Sequence, residues 1–394
     1  MPIFKKSPGK GRSRAGDFLA ILLLIVLVAI FGWLWWREKH PQKAEGKHRL
    51  PASTATQTPT HEIIPDLTVV VRSNPPVVTP TIIPPPVAQT NMAQVPPAPL
   101  AEPPVHAEFP RLPRDTFEVQ VAMARRAISP GPIDGAMGSQ THAAIAALQR
   151  DEKLSETGIL DTNTRAKLAL DSAPMTTYTV TADDLARLQP LGKTWLEKSQ
   201  QSVLDYETIK ELVAEKFHTH IGLMPKLNPD VDWNAITNGT VLNVPDVEYP
   251  DPGDKASLVV IHLSSKYLEA FDAQSNLMAH FPCSIAAKVE KRPVGELHVV
   301  VIAPNPNYTV NPELFPESQE LQILGHKLVL PPGPNNPVGV AWVGLDRPGY
   351  GIHGTPVPEQ VGRTESHGCF RLANWDAEYF MKLAWVGLPV EVVP

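Results

Sequence analysis

Hydrophobic and polar positions follow different rules in successive parts of this chain. Residues 18–36, FLAILLLIVLVAIFGWLWW, are apolar or neutral throughout and carry no charge. At 1.5 Å per residue the run makes a helix of about 28 Å, close to the thickness of a hydrocarbon core, so a membrane-spanning helix is expected. From Pro41 to Pro113 there are 17 prolines and hardly any aromatic residues, a composition that builds no core and favours extended polyproline II. Helical spacing then appears at Val119, Ala122, Met123 and Ala127 and again at Ala144, Ile145 and Leu148, with Thr162 heading a third helix. The next segment predicts strand, helix, helix, strand, running from TYTV to VLNVP, with Asn238-Gly239 turning the chain into the closing strand. Beyond residue 254 short apolar runs such as SLVVIHL, ELHVVVIAP and VGVAWVGL alternate with Pro and Gly clusters. No long helices alternate with these strands, which argues against a parallel α/β sheet.

Six segments follow from this pattern: a basic tail (1–17), a transmembrane anchor (18–36), a Pro-rich linker (37–113), a three-helix domain (114–172), a small α+β module (175–248) and a mainly-β domain (254–394). The anchor is longer than a signal-peptide core, and neither an A-x-A site nor a lipoprotein Cys closely follows it, so retention is expected. Lys5, Lys6, Lys10, Arg12 and Arg14 before the helix balance Arg37, Lys39, Lys43, Lys47 and Arg49 after it, so the positive-inside count leaves orientation open. The short segment before the helix and the long one after it favour the N-terminus inside. Residues 1–50 hold ten Lys/Arg against three Asp/Glu in a chain of net charge −6. Everything beyond them is therefore acidic, and a nucleic-acid partner is disfavoured.

Candidate chemistry concentrates in HGT, residues 353–355, and SHGCFR, residues 366–371. Gly349, Gly351 and Gly354 also satisfy G-x-G-x-x-G, but Pro356 and Pro358 follow at once, and no helix can open there to receive a pyrophosphate. The chain has two cysteines, Cys283 and Cys369. A disulfide would remove Cys369 as a nucleophile, so two free thiols are expected. A thiol near pKa 8.5 needs a base or cation beside it, and His353 and His367 are available. If SHGCFR is a strand, His367 and Cys369 are i, i+2 neighbours about 6–7 Å apart at Cα. A residue on an adjacent strand comes closer, which favours His353 as the partner and leaves His367 in support. Gly354 and Gly368 remove bulk where substrate meets backbone, and the amides of Gly368 and Cys369 are candidate oxyanion donors. Arg371 suits either a substrate carboxylate or a structural ion pair. Zinc held by His353, His367 and Cys369 lacks a fourth ligand at familiar spacing. His218 and His220 read as surface or internally satisfied histidines.

Three resemblances join these segments. PGPIDGAMGSQT and ETGILDTNT resemble the turns of the type 1 peptidoglycan-binding domain. The Leu-Asn-Pro segment and the Gly-Thr-x-Leu-x-Val-Pro ending of 175–248 resemble a LysM module, with a longer first half that lacks Gly-Asp-Thr; the module could bind carbohydrate or serve as a spacer. From about Ser257 to the C-terminus the chain resembles YkuD-type L,D-transpeptidases, through HGT and SHGCFR above all. That resemblance implies a β-sandwich-like catalytic fold, Cys369 as nucleophile and His353 as its activator, with Ser366, His367, Gly368, Gly354 and Arg371 supporting or lining the site and no cofactor or metal. It departs at Phe370, where an aliphatic residue is commoner, and along FPCSIAAKVEKRPVG, where family members read closer to Ser-Thr-Gly, so a different substrate loop is expected, with the resemblance weakest from Glu290 to Val294. The implied reaction is a thioester-mediated transfer on peptidoglycan stem peptides that forms 3→3 cross-links. Water as acceptor would make the enzyme an L,D-carboxypeptidase, and a protein lysine would attach that protein to the wall; a non-catalytic wall tether is the alternative of a different class. Peptidoglycan lies outside the membrane, so this reading places the catalytic domain in the periplasm or wall space with the N-terminus in.

Overall fold

The computed structural model describes residues 109–394 except Glu365 and His367. The predicted anchor at 18–36, the tail before it and nearly all of the Pro-rich linker lie outside the described residues, and so does His367. Among the described residues no helix is long and apolar enough to cross a membrane.

Helices α1 (Thr116–Ala124), α2 (Ser139–Asp151) and α3 (Thr162–Ala166) form the first domain. Asp115 and Asp161 start α1 and α3 by accepting the backbone N–H groups of Glu118 and Thr164. Two buried glutamines hold the joints between helices. The Gln120 side chain bonds Asp134, Gly135 and Ala136, while that of Gln149 bonds Thr157, Gly158, Ile159 and Thr164. Val119, Met123, Ile145, Leu148 and Leu168 fill the space between.

The middle module runs β1 (Met175–Thr179), α4 (Ala182–Ala186), α5 (Trp195–Ser199), α6 (Ile209–Lys216), α7 (Met224–Leu227) and β2 (Val241–Pro245), with β1 and β2 antiparallel. Four helices stand where the sequence predicts two, and α5 lies in the longer first half. Capping boxes start α4 at Thr181/Asp184 and α5 at Thr194/Glu197. Asn228 explains the Leu-Asn-Pro segment: its amide donates to the carbonyls of Met224 and Asn243 and accepts the Asn243 N–H at 2.7 Å, tying α7 to β2.

The third domain is mainly β, as expected. Strands β3 (Leu258–His262), β4 (Tyr267–Phe271), β5 (Leu277–Pro282) and β6 (Gly295–Pro304) are followed by a small excursion of β7 (Tyr308–Val310), α8 (Gln319–Leu324) and β8 (Leu328–Leu330). The chain then forms β9 (Ala341–Leu345), β10 (Gly351–His353), β11 (Phe370–Arg371), α9 (Asn374–Leu383) and β12 (Pro389–Val393). One mixed sheet has the order β11-β10-β9-β6-β12-β3-β4-β5. The chain leaving β5 bonds back to the other end: Ser284 pairs with Arg371, and Ala286 with Ser366. The sheet thus curls on itself, enclosing a core of Val259, Ile261, Phe281, Val343, Ile352, Phe370, Phe380 and Val390.

All three domains belong to one compact unit. Ser129 N–H donates to His280 O and His280 N–H to Ala127 O, extending the main-chain bonding of β5 into the helical domain. Asn374, at the start of α9, donates to both carboxylate oxygens of Glu215 on α6 at 3.0 Å.

Candidate active site

Cys369 ends a tight turn just before β11. Among the described residues of 366–371 the strand covers Phe370 and Arg371, so the six-residue strand assumed for SHGCFR is shortened. Parallel pairing sets Ile352 beside Phe370 and His353 beside Arg371. His353 is therefore in register with Arg371, two positions beyond Cys369. Ser366 shapes the turn: its hydroxyl donates to Cys369 O at 2.5 Å and accepts the Gly368 N–H at 3.2 Å. Main-chain bonds from Ser366 N to Ile285 O and from Ala287 N to Ser366 O hold the turn against the segment after β5. The Ser284 hydroxyl accepts the Gly362 N–H at 2.9 Å, fastening the preceding loop to the same segment.

His353 is 5% exposed and stacks on Trp342, with ring centroids 5.6 Å apart and planes 20° off parallel. Its Nδ1 lies 2.6 Å from Gly354 O. A carbonyl only accepts, so this contact assigns the proton to Nδ1 and leaves Nε2 as the basic nitrogen. Burial holds the imidazole down at about 4, which makes it neutral at physiological pH.

The Cys369 Sγ lies 3.4 Å from Gly349 O. Burial pushes its thiol upward, against the Gly351 N–H and the positive charge of Arg371, both of which favour the thiolate. Neutral thiol and neutral imidazole are therefore the resting forms, so His353 acts on the thiol as a base and not as a cation. Arg371 is itself held below its usual range by burial. Tyr308 is pushed up to about 12, burial first and the nearby Cys369 second. Cys283 is fully buried and its thiol is driven well above the usual range; both cysteines are free.

Cys369, His353, Ser366, Gly368 and Arg371 all line one cavity of about 570 Å³. Gly354 does not line it. A Cβ there would lie 2.2 Å from Asn374 Oδ1, so this glycine admits the start of α9 rather than substrate. At Gly368 a Cβ would meet only Tyr350, at 3.8 Å. The sequence reading missed Trp195, Tyr308, Phe315 and Trp342, which also line the cavity. Alternation within AWVGL could have flagged Trp342; Trp195 is too distant in sequence for any local signal.

Residues 256–392 match the family profile described as the L,D-transpeptidase catalytic domain, and residues 115–168 match a putative peptidoglycan binding domain. The protein is an enzyme of the L,D-transpeptidase class, with a peptidoglycan-binding domain ahead of its catalytic domain. It is 23% identical over 188 residues to a putative L,D-transpeptidase YkuD of Bacillus licheniformis, a match spanning 48% of this chain and 94% of that one. It is 28% identical over 187 residues to a probable L,D-transpeptidase YbiS of Escherichia coli, covering 46% of this chain and 59% of that protein. A crystal structure of L,D-transpeptidase 1 from Mycobacterium tuberculosis aligns at 19% identity over 39% of this chain and 69% of that one, with a TM-score of 0.25.

Proposed function

We propose that Cys369 and His353 carry out acyl transfer on peptidoglycan stem tetrapeptides, joining two stems through a 3→3 link. The observation that supports this most is the shared cavity, onto which the thiol and a neutral imidazole with its proton on Nδ1 both open. In the proposed cycle His353 Nε2 takes the thiol proton as Sγ attacks the carbonyl between the L-centre of diaminopimelate and the terminal D-alanine. The tetrahedral intermediate collapses, the C–N bond breaks, and the imidazolium returns its proton to the departing amine. A second stem's amine then attacks the thioester and releases the thiol. The Cys369 amide serves the oxyanion, whereas the Gly368 N–H, expected from the sequence to share that role, donates to the Ser366 hydroxyl; Arg371 is the candidate partner of a stem carboxylate. His367 keeps the supporting role that the motif implies.

Water as acceptor would turn the same cycle into L,D-carboxypeptidation, and a lysine amine would attach a protein to the wall. The run at 18–36 fits a single-pass inner-membrane anchor with the N-terminus in and the catalytic domain in the periplasm or wall space, where peptidoglycan lies. The helical domain fits wall binding, and the LysM-like module fits a contact with glycan strands. Incubating the protein with a disaccharide-tetrapeptide and weighing the products tests the cycle: a dimer that has lost one D-alanine is expected. Loss of D-alanine without a dimer would assign carboxypeptidase activity, and unchanged substrate would overturn the reading.

A further inference from the structure

The longer first half of the middle module, residues 187–205, packs against the β7–α8–β8 excursion. Leu204 is fully buried in one cluster with Val310, Leu321, Leu328 and Leu330, and Leu191, Trp195, Tyr308 and Phe315 pack around it. The excursion is too small to bury an apolar face alone, and the insertion completes its core. Polar bonds fix the pairing. The Glu320 carboxylate accepts the N–H groups of Trp195 and Leu196, at 3.0 and 2.8 Å, at the start of α5. Leu204 N–H donates to Pro332 O and Asn335 N–H to Leu204 O. Gly333, at φ +138°, permits this approach, because a Cβ there would lie 2.2 Å from Leu204 O.

Trp195 extends from this joint into the wall of the cavity that holds Cys369. Its ring lies 5.9 Å from that of Phe315, centroid to centroid, and Tyr308 and Phe315 of the excursion line the same cavity. An aromatic wall thus stands in the cavity together with the polar group of Cys369, Ser366 and Arg371. Such a wall favours the aliphatic stretches of a peptide substrate, which gain by leaving water against flat rings.

We propose that Trp195 is a specificity-determining residue of the catalytic site. The middle module supplies it through the 187–205 insertion, and it takes the aliphatic part of the stem peptide while the same insertion holds the β7–α8–β8 excursion in place. This rests on the acyl-transfer reading and adds to it a substrate contact from outside the catalytic domain.

Two measurements on the full chain separate the claims. Binding of disaccharide-tetrapeptide to Cys369→Ser is measured by calorimetry, with Trp195 intact and as Trp195→Ala and Trp195→Phe. Turnover of the same Trp195 variants is followed in the Cys369 protein. Trp195→Ala is expected to weaken binding and raise KM tenfold or more, with kcat and iodoacetamide alkylation of Cys369 within twofold; Trp195→Phe should recover most of the loss. Equal binding by the Ala and intact proteins would overturn the inference. So would a loss that appears only in kcat or in thiol alkylation, since that would assign Trp195 a purely structural role. If Trp195→Ala does not fold, Trp195→Phe against Trp195→Leu decides: a higher KM for Leu than for Phe supports the aromatic wall, and equal values overturn it. Failure of the intact protein to bind or turn over this substrate would instead strike the acyl-transfer reading.

Discussion

The helical domain and the middle module read alike in the sequence, as accessory units strung ahead of the catalytic domain, yet they join it at different places and with different consequences for the cavity. The helical domain attaches through polar and main-chain bonds together with apolar contacts, Leu277 of β5 packing on its core and Ala127 entering that of the catalytic domain. Its 127–129 segment bonds with His280, Arg150 pairs with the buried Glu269, and Gln140 donates to Val361 O at 2.6 Å. The middle module shares an apolar core with the β7–α8–β8 excursion and sends Trp195 into the cavity itself. The first braces the sheet from its β5 edge, and the second shapes the space above the thiol. Sequence order therefore says little about which unit serves chemistry.

The largest expected effect sets the reference for this contrast. Cys369→Ala should abolish turnover and covalent capture by substrate, with both accessory units still docked, as read by product mass and unchanged thermal unfolding. Residual acyl adduct would transfer the nucleophile to Cys283, against its burial.

Matched core truncations sharpen the comparison. Leu148 and Leu204 are both fully buried, and Leu→Ala at either should cost about 2–5 kcal/mol in denaturant unfolding. Under conditions where both variants stay folded, Leu204→Ala should lower kcat/KM for soluble stem peptide severalfold and Leu148→Ala should leave it nearly unchanged. Equal losses would break the distinction.

A smaller effect is expected from Gln140→Ala. It removes the helical domain's hydrogen bond to Val361, which lines the cavity, and a two- to threefold drop in kcat/KM should follow. A larger drop would mean that the helical domain also shapes the site.

Protonation separates the catalytic pair from the joint of the middle module. Catalysis by neutral His353 places the acid limb of kcat/KM at about pH 4, the value to which burial lowers that imidazole; a limb near 6.5 would show that burial does not lower it, and loss of the limb in His353→Gln would assign it to this residue. Glu215, at the joint of middle module and α9, is pushed up to about 8 by burial. Its native state binds more protons than the unfolded state between the ordinary carboxylate range and pH 8. This contribution to stability is therefore complete at low pH and is lost as pH rises toward 8. Glu215→Gln should flatten the decline in Tm over that window by a few degrees at most, and an unchanged slope would remove Glu215 as its source.

The legible parts of the fold were those written in local pattern. Val119, Met123, Ile145 and Leu148 mark their helices by spacing, and each is fully buried. LVVIH and AWVGL mark β3 and β9 by their apolar runs. Within the site, HGT and SHGCFR carried Cys369, His353, Ser366, Gly368 and Arg371 to one cavity. Gly354 was misread because absence of a side chain says nothing about which neighbour needs the room, and here it is Asn374. The extent of β11 was misread because Ser366 closes a turn that residue types alone do not announce.

The sequence by itself determined the chemical inventory: a thiol and a histidine set among glycines, an arginine two residues on, the periodicities of the domains, and an uncharged run at 18–36. These are short-range facts, carried by residue type and spacing. Tertiary structure decided what required distant segments to meet. The pairing of His353 with Arg371, the curl that bonds Ser284 to Arg371, and the arrival of Trp195 beside a cysteine 174 positions later are set by long-range packing. The protonation of the pair was also settled there. Burial keeps the imidazole and the thiol neutral together, because desolvation penalises charge at both, and the degree of burial is a property of the fold.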